Sequence, residues 1–106
     1  MGGLSLHGGF GWLRRKFGYS IDNILSVDIV TADGQLRVAN ASENADLYWA
    51  IRGAGSNFGV VTSMEFQLHP VGPVVANATT IYALKDADQV IRGWRDFMAT
   101  APDEVS

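Results

Sequence analysis

Residues 47–61 read Leu47-Tyr-Trp-Ala-Ile-Arg-Gly53-Ala-Gly55-Ser-Asn57-Phe58-Gly59-Val-Val61. A short helix there runs into a glycine-rich turn and straight on into a strand. The order is restrictive. A dinucleotide-binding fingerprint runs strand, then G-x-G-x-x-G, then helix, so that a pyrophosphate meets the helix N-terminus. Here the helix comes first, and Phe58 stands where the third glycine of that fingerprint belongs. Any ligand at this turn is met by another geometry.

At 106 residues, 47% hydrophobic and 18% charged, the chain has the size and composition of one small folded domain. A net charge of −3, with Arg14-Arg15-Lys16 as the one basic run, argues against nucleic acid as a partner. Cysteine is absent, which excludes disulfides and thiol chemistry, and His7 and His69 lack the spacing of metal ligands. No apolar run has the length of a membrane span and Met1 opens no leader-like segment, so the expectation is a cytoplasmic protein without a membrane partner.

Five glycines in the first eleven residues predict an arm too flexible for regular structure. Residues 12–17 predict a short helix that places Leu13 and Phe17 on one face and stops at Gly18, and residues 20–23 predict a turn. Residues 26–31, then Asp33-Gly34, then Leu36 and Val38 predict a β-hairpin. Asn44 reads as the N-cap of a helix ending at Gly53, with Leu47 and Ile51 sharing a face. A long strand follows, with Val60, Thr62, Met64, Phe66 and Leu68 on one side. His69-Pro70 breaks the pattern. Residues 74–84 predict a further strand, and Asp86 caps a helix whose Ala87, Val90, Ile91, Trp94, Phe97 and Met98 form a core-facing stripe. The fold class is α+β.

The glycine corners each admit two readings. At residues 53–59 the missing Cβ atoms let the backbone lie against a ligand, or they make a helix stop and a tight turn. Asn57 either bonds a ligand or holds its own turn. Gly8-Gly9-Phe10-Gly11 offers an approach to a phosphate or flavin, or forms a flexible arm. His7 as a base or ligand stands against a histidine with no such role, and Asp22-Asn23 as a ligand site stands against a local turn. No catalytic triad, paired carboxylate or P-loop can be assembled from these residues.

Four separated segments occur in register: His7-Gly-Gly-Phe-Gly-Trp-Leu13 with Gly18; Asp22-Asn23; Val27 through Asp33-Gly34; and Glu43-Asn-Ala-Asp-Leu-Tyr-Trp-Ala-Ile-Arg-Gly53 leading to Gly55-Ser-Asn-Phe-Gly-Val-Val-Thr62. Their order resembles the FAD-linked oxidases with a PCMH-type FAD-binding domain, the berberine-bridge-enzyme-like and oligosaccharide oxidase group, over roughly residues 2–73. The resemblance implies that residues 1–70 are the second half of the flavin domain. It implies that residues 71–106 are the first strand and helix of the substrate domain. It implies FAD as cofactor. Gly8, Gly9, Phe10 and Gly11 then pass close to the flavin, Asp22 and Asn23 lie near the cofactor, and Gly55, Asn57, Phe58, Gly59 and Val60 belong to the cofactor wall, the last four on its adenosine side.

The family's flavin-attachment segment would lie upstream of Met1 and its catalytic base downstream of Ser106. His7 is therefore not read as the attachment site. The resemblance thus implies a fragment or truncated homologue of an oxidoreductase that oxidises alcohols, sugars or alkaloids, inactive alone because hydride transfer needs both flavin and base. The rival readings are a non-catalytic binding or oligomerisation module whose exposed strand edges favour pairing with itself, and one piece of a split flavoenzyme completed by another chain.

Overall fold

Strand formation begins at Ile24, where a β-branched and aliphatic run starts directly after a polar turn. A computed structural model describes the chain from Met1 to Ser106, apart from the side chain of Ser56. It divides into two units, Met1–His69 with Ser106, and Pro70–Val105.

The first unit carries, in chain order, α1 (Gly2–Ser5), α2 (Arg14–Phe17), a 3-10 turn (Ser20–Asn23), β1 (Ile24–Val30), β2 (Leu36–Asn40), α3 (Ala45–Ala54) and β3 (Val60–Phe66). The strands form one antiparallel sheet in the order β2-β1-β3. The expected hairpin is present: Val30 pairs with Leu36, the Thr31 amide donates to Gln35 O at 3.0 Å, and Gly34 takes φ 75°. With the Gly34 amide donating to Thr31 O at 2.9 Å, this is a turn followed by a left-handed glycine, the three-residue hairpin loop.

The core lies on one face of β1. Ile24, Val27, Ile29, Ala39 and Ile51 are buried, and Leu47, Tyr48, Val61, Met64 and Phe66 pack around them. Each fully buried Ile or Val contributes about 1.5–3 kcal/mol. Ile24 and Val27 are three apart and still share a face because the pairing of β1 with β3 shifts between Ile24 and Ser26. A second shift, between Asp28 and Ile29, skips Thr62 on β3, so Val61, Met64 and Phe66 turn inward while Val60 and Thr62 are exposed. Strict alternation along residues 60–68 therefore fails at its start, as it must where a bulge inserts a residue.

Two further expectations are corrected. The glycine-rich start is not a featureless arm, since Gly2–Ser5 make a helical turn in which Ser5 is fully buried. Asn44 stands at the N-cap position of α3 but does not cap it; it lies in the left-handed region and its Nδ2 donates to Val38 O at 2.7 Å. The helix does break where glycine was expected, with Gly53 at φ 130°.

In the second unit, residues 70–83 form neither strand nor helix, so the strand expected over residues 74–84 is not made; strands need a ladder partner, and these residues have none in the sheet. A 3-10 turn at Leu84–Asp86 leads into α4 (Ala87–Thr100), with Asp86 at the N-cap position but making no capping bond. The apolar stripe of α4 is formed as expected but is not core: Ile91, Trp94 and Phe97 are 67%, 54% and 49% exposed. No helix among the described residues is long and apolar enough to cross a membrane.

Candidate functional site

The glycine corners and the Asp22-Asn23 turn are far apart in sequence and are joined in the fold by backbone hydrogen bonds. Leu6 O, just beyond α1, accepts from the amides of Gly53 (3.0 Å) and Gly55 (3.3 Å). Gly8 O accepts from the Ile21 amide at 3.2 Å, and Gly9 O accepts from both the amide and the hydroxyl of Ser20 at 3.0 and 3.3 Å. Arg52 closes the group by donating from Nε to Ile21 O at 2.9 Å, with its guanidinium 3.6 Å from Asp22 and lying over the Tyr48 ring. Leu6, Ser20 and Arg52 were not expected here. Arg52 stood in the last turn of a helix, but a carbonyl such as that of Leu6 leaves no mark in a sequence.

The candidate glycines separate by what surrounds them. A Cβ on Gly9 would lie 2.3 Å from Ser20 Cβ, one on Gly55 2.4 Å from Leu6 Cβ, and one on Gly59 would overlap Val30 O. These three are glycine because protein backbone or side chain sits against them. Gly8, Gly11 and Gly53 have nothing within 4 Å of such a Cβ, and Gly8 and Gly53 hold φ of 113° and 130°. Open space on the Cβ side and a left-handed backbone are the conditions for close approach by a ligand.

Donor chemistry concentrates at the first corner. The amides of Gly8, Gly9, Phe10 and Gly11 donate to no acceptor among the described residues. Consecutive unpaired amides of this kind attract anionic or carbonyl oxygen. Phe10 beside them is 67% exposed, with the Arg14 guanidinium 3.9 Å above its ring and the Tyr19 ring at 5.9 Å.

The polar candidates are hydrogen-bonded to the protein itself. Asp22 Oδ2 accepts from the Tyr19 amide at 2.8 Å, and Asn57 Nδ2 donates to Ala54 O at 3.0 Å. Asn23 Nδ2 donates to Phe17 O and Tyr19 O, both at 2.9 Å. Phe58 and Val60 are 37% and 70% exposed, next to Gly59 at φ 151°. His7 Nδ1 is 3.0 Å from Gly3 O, within its own helical turn. Among the described residues, no three or more histidines or carboxylates are grouped to hold a metal.

No protein-family model matches the chain. A xylooligosaccharide oxidase from Thermothelomyces thermophilus is 44% identical over 94 residues, which is 89% of this chain and 19% of that protein. The solved structure of Physcomitrella patens BBE-like 1 superposes with a TM-score of 0.62 at 51% identity, over 64% of this chain and 15% of that one. The chain belongs to the FAD-linked oxidase family of berberine-bridge-like and oligosaccharide oxidases. The (R)-6-hydroxynicotine oxidase of Paenarthrobacter nicotinovorans is a further relative, 51% identical over 67 residues, 63% of this chain and 15% of that protein. The chain spans about a fifth or less of the length of these FAD-linked oxidases. Its α+β architecture, short helices beside a small antiparallel sheet, is that of a part of these flavoenzymes.

Proposed function

We propose that residues 1–70 form one wall of an FAD cleft in a flavin-dependent oxidase of alcohol, sugar or alkaloid-type substrates, and that residues 71–106 open its substrate domain. The observation that supports this is the run of unpaired amides at Gly8, Gly9, Phe10 and Gly11, held in place through the Gly8 and Gly9 carbonyls. These residues fit such a group: the amides suit its oxygen atoms, open space at Gly8, Gly11 and Gly53 admits it closely, and the exposed Phe10 and Phe58 suit the edge of a flat ring system. Gly59 and Val60 extend the wall toward the adenosine end. Asp22, Asn23, Gly55 and Asn57 serve by holding the wall, because their contacts are with protein.

The chemistry that FAD supplies when bound is acceptance of a hydride and delivery of electrons to oxygen. The chain's own part is to bind and orient. No side chain here is assigned as the base that hydride abstraction needs, so the chain by itself is proposed not to turn over substrate. A second reading, a module that pairs with itself or with a complementary chain, is favoured by the exposed Ile91, Trp94 and Phe97 of α4.

Titration of the purified chain with FAD, followed by flavin absorbance and fluorescence, tests the leading reading. Saturable uptake that Gly8→Ala and Gly11→Ala weaken, and Gly93→Ala does not, is the expected result. Absence of uptake at high FAD concentration overturns cofactor binding by this chain.

A further inference from the structure

Asn23 is a hub whose side-chain hydrogen bonds all go to the protein. Both hydrogens of its Nδ2 are taken by Phe17 O and Tyr19 O, and its own carbonyl accepts the Gln67 amide at 2.8 Å. The side-chain oxygen that remains faces His69, with Nε2 to Oδ1 at 2.5 Å. Since both amide hydrogens are committed, Oδ1 must accept, and the imidazole must carry its proton on Nε2. The same imidazole stacks on Phe17, with centroids 4.2 Å apart and planes at 15°. One exposed histidine past the end of β3 therefore grips both ends of the segment between α2 and β1.

We propose that Asn23 and His69 are positioning residues: a lock that fixes the turn Ser20–Asn23 and, through it, the first glycine corner. The route is short. Ser20 and Ile21 in that turn donate to Gly9 O and Gly8 O, and these bonds set the direction in which the amides of residues 8–11 point. The lock stands on these contacts alone; its consequence for a cofactor rests on the FAD reading above.

The test uses the whole chain with His69→Phe, which keeps a ring to stack but removes the donor, and His69→Gln, which restores a donor. Amide hydrogen exchange by NMR is the readout. In H69F the Ser20 and Ile21 amides should exchange about tenfold faster, the loss of roughly one hydrogen bond. The Gly8, Gly9 and Gly11 amide resonances should move, while exchange in β1 at Val27 and Ile29 stays unchanged. H69Q should recover most of the protection. Asn23→Asp, which retains an oxygen for His69 but loses both Nδ2 donors, should free the same amides. Unchanged exchange at Ser20 and Ile21 in H69F overturns the lock, as does equal loosening of β1. Should H69F not fold, Asn23→Asp with protection retained at Ser20 and Ile21 overturns it equally. Movement of the glycine amides in a chain that takes up no FAD would leave the lock standing and remove only the cofactor reading.

Discussion

The two glycine corners are bonded with opposite polarity. The first, residues 8–11, is tied to the protein through the carbonyls of Gly8, Gly9 and Gly11, while its amides have no acceptor among the described residues. The second, residues 53–59, spends the amides of Gly53 and Gly55 on Leu6 O, and presses Gly59 against Val30. A ligand rich in oxygen needs donors, and the first corner offers a run of four, whereas the Gly53 and Gly55 amides that open the second are already taken by Leu6 O. The second supplies close packing and an exposed rim at Phe58 and Val60. Glycine density alone does not distinguish a binding loop from a tight corner. The direction of the peptide groups does.

Gly59→Ala breaks this comparison most severely. It combines a disfavoured φ with overlap on Val30 O, so we expect a loss of about 3 kcal/mol or more, read as a lower urea midpoint. Gly55→Ala, at an allowed φ but against Leu6 Cβ, should cost about 1–3 kcal/mol in the same measurement. Gly53→Ala meets no atom and should cost only its backbone strain, roughly 1–2 kcal/mol. Gly11→Ala should change stability by less than about 0.5 kcal/mol while weakening FAD uptake. A G11A variant as unstable as G59A would show that both corners are structural.

The smallest effect lies away from both corners. Asp33 is held down to about 2, first by the Thr31 hydroxyl, then by Arg37 and the Gln35 amide. A depressed carboxyl favours the folded hairpin above its ordinary value of 3.8 and loses that contribution as pH falls toward 2. Asp33→Asn should therefore flatten the pH dependence of unfolding between about 4 and 2, its small cost on this exposed hairpin being present at neutral pH and gone near pH 2. A midpoint that responds to the substitution at acid pH more than at neutral pH would count against this.

Much of the local structure was legible in the chain. Asp33-Gly34 between two β-type runs marks a hairpin because few residue pairs close such a loop, and Gly18 and Gly53 mark helix ends because helices stop where the backbone turns left-handed. The face of β3 was legible only in part. Thr62 is the extra residue of a bulge in the pairing of β3 with β1, and no pattern within residues 60–68 records it. Asn44 illustrates the same limit: it has the right type and position for a cap, yet it lies in the left-handed region with its Nδ2 donating to Val38 O on β2, and its Oδ1 caps no helix amide. For α4 the periodic stripe correctly gave the helix but not its burial, because burial requires a covering element.

What the sequence by itself determined is the alphabet of the site: where glycines fall, which turns they permit, and, by the register of four motifs, the FAD-linked oxidase family. Only the tertiary structure decided which way each peptide faces. Gly9 is closed by Ser20, Gly55 by Leu6 and Gly59 by Val30, while Gly8 and Gly11 stay open. The physical reason is that room beside a backbone is set by neighbours from distant parts of the chain, whereas the freedom to turn belongs to the glycine itself.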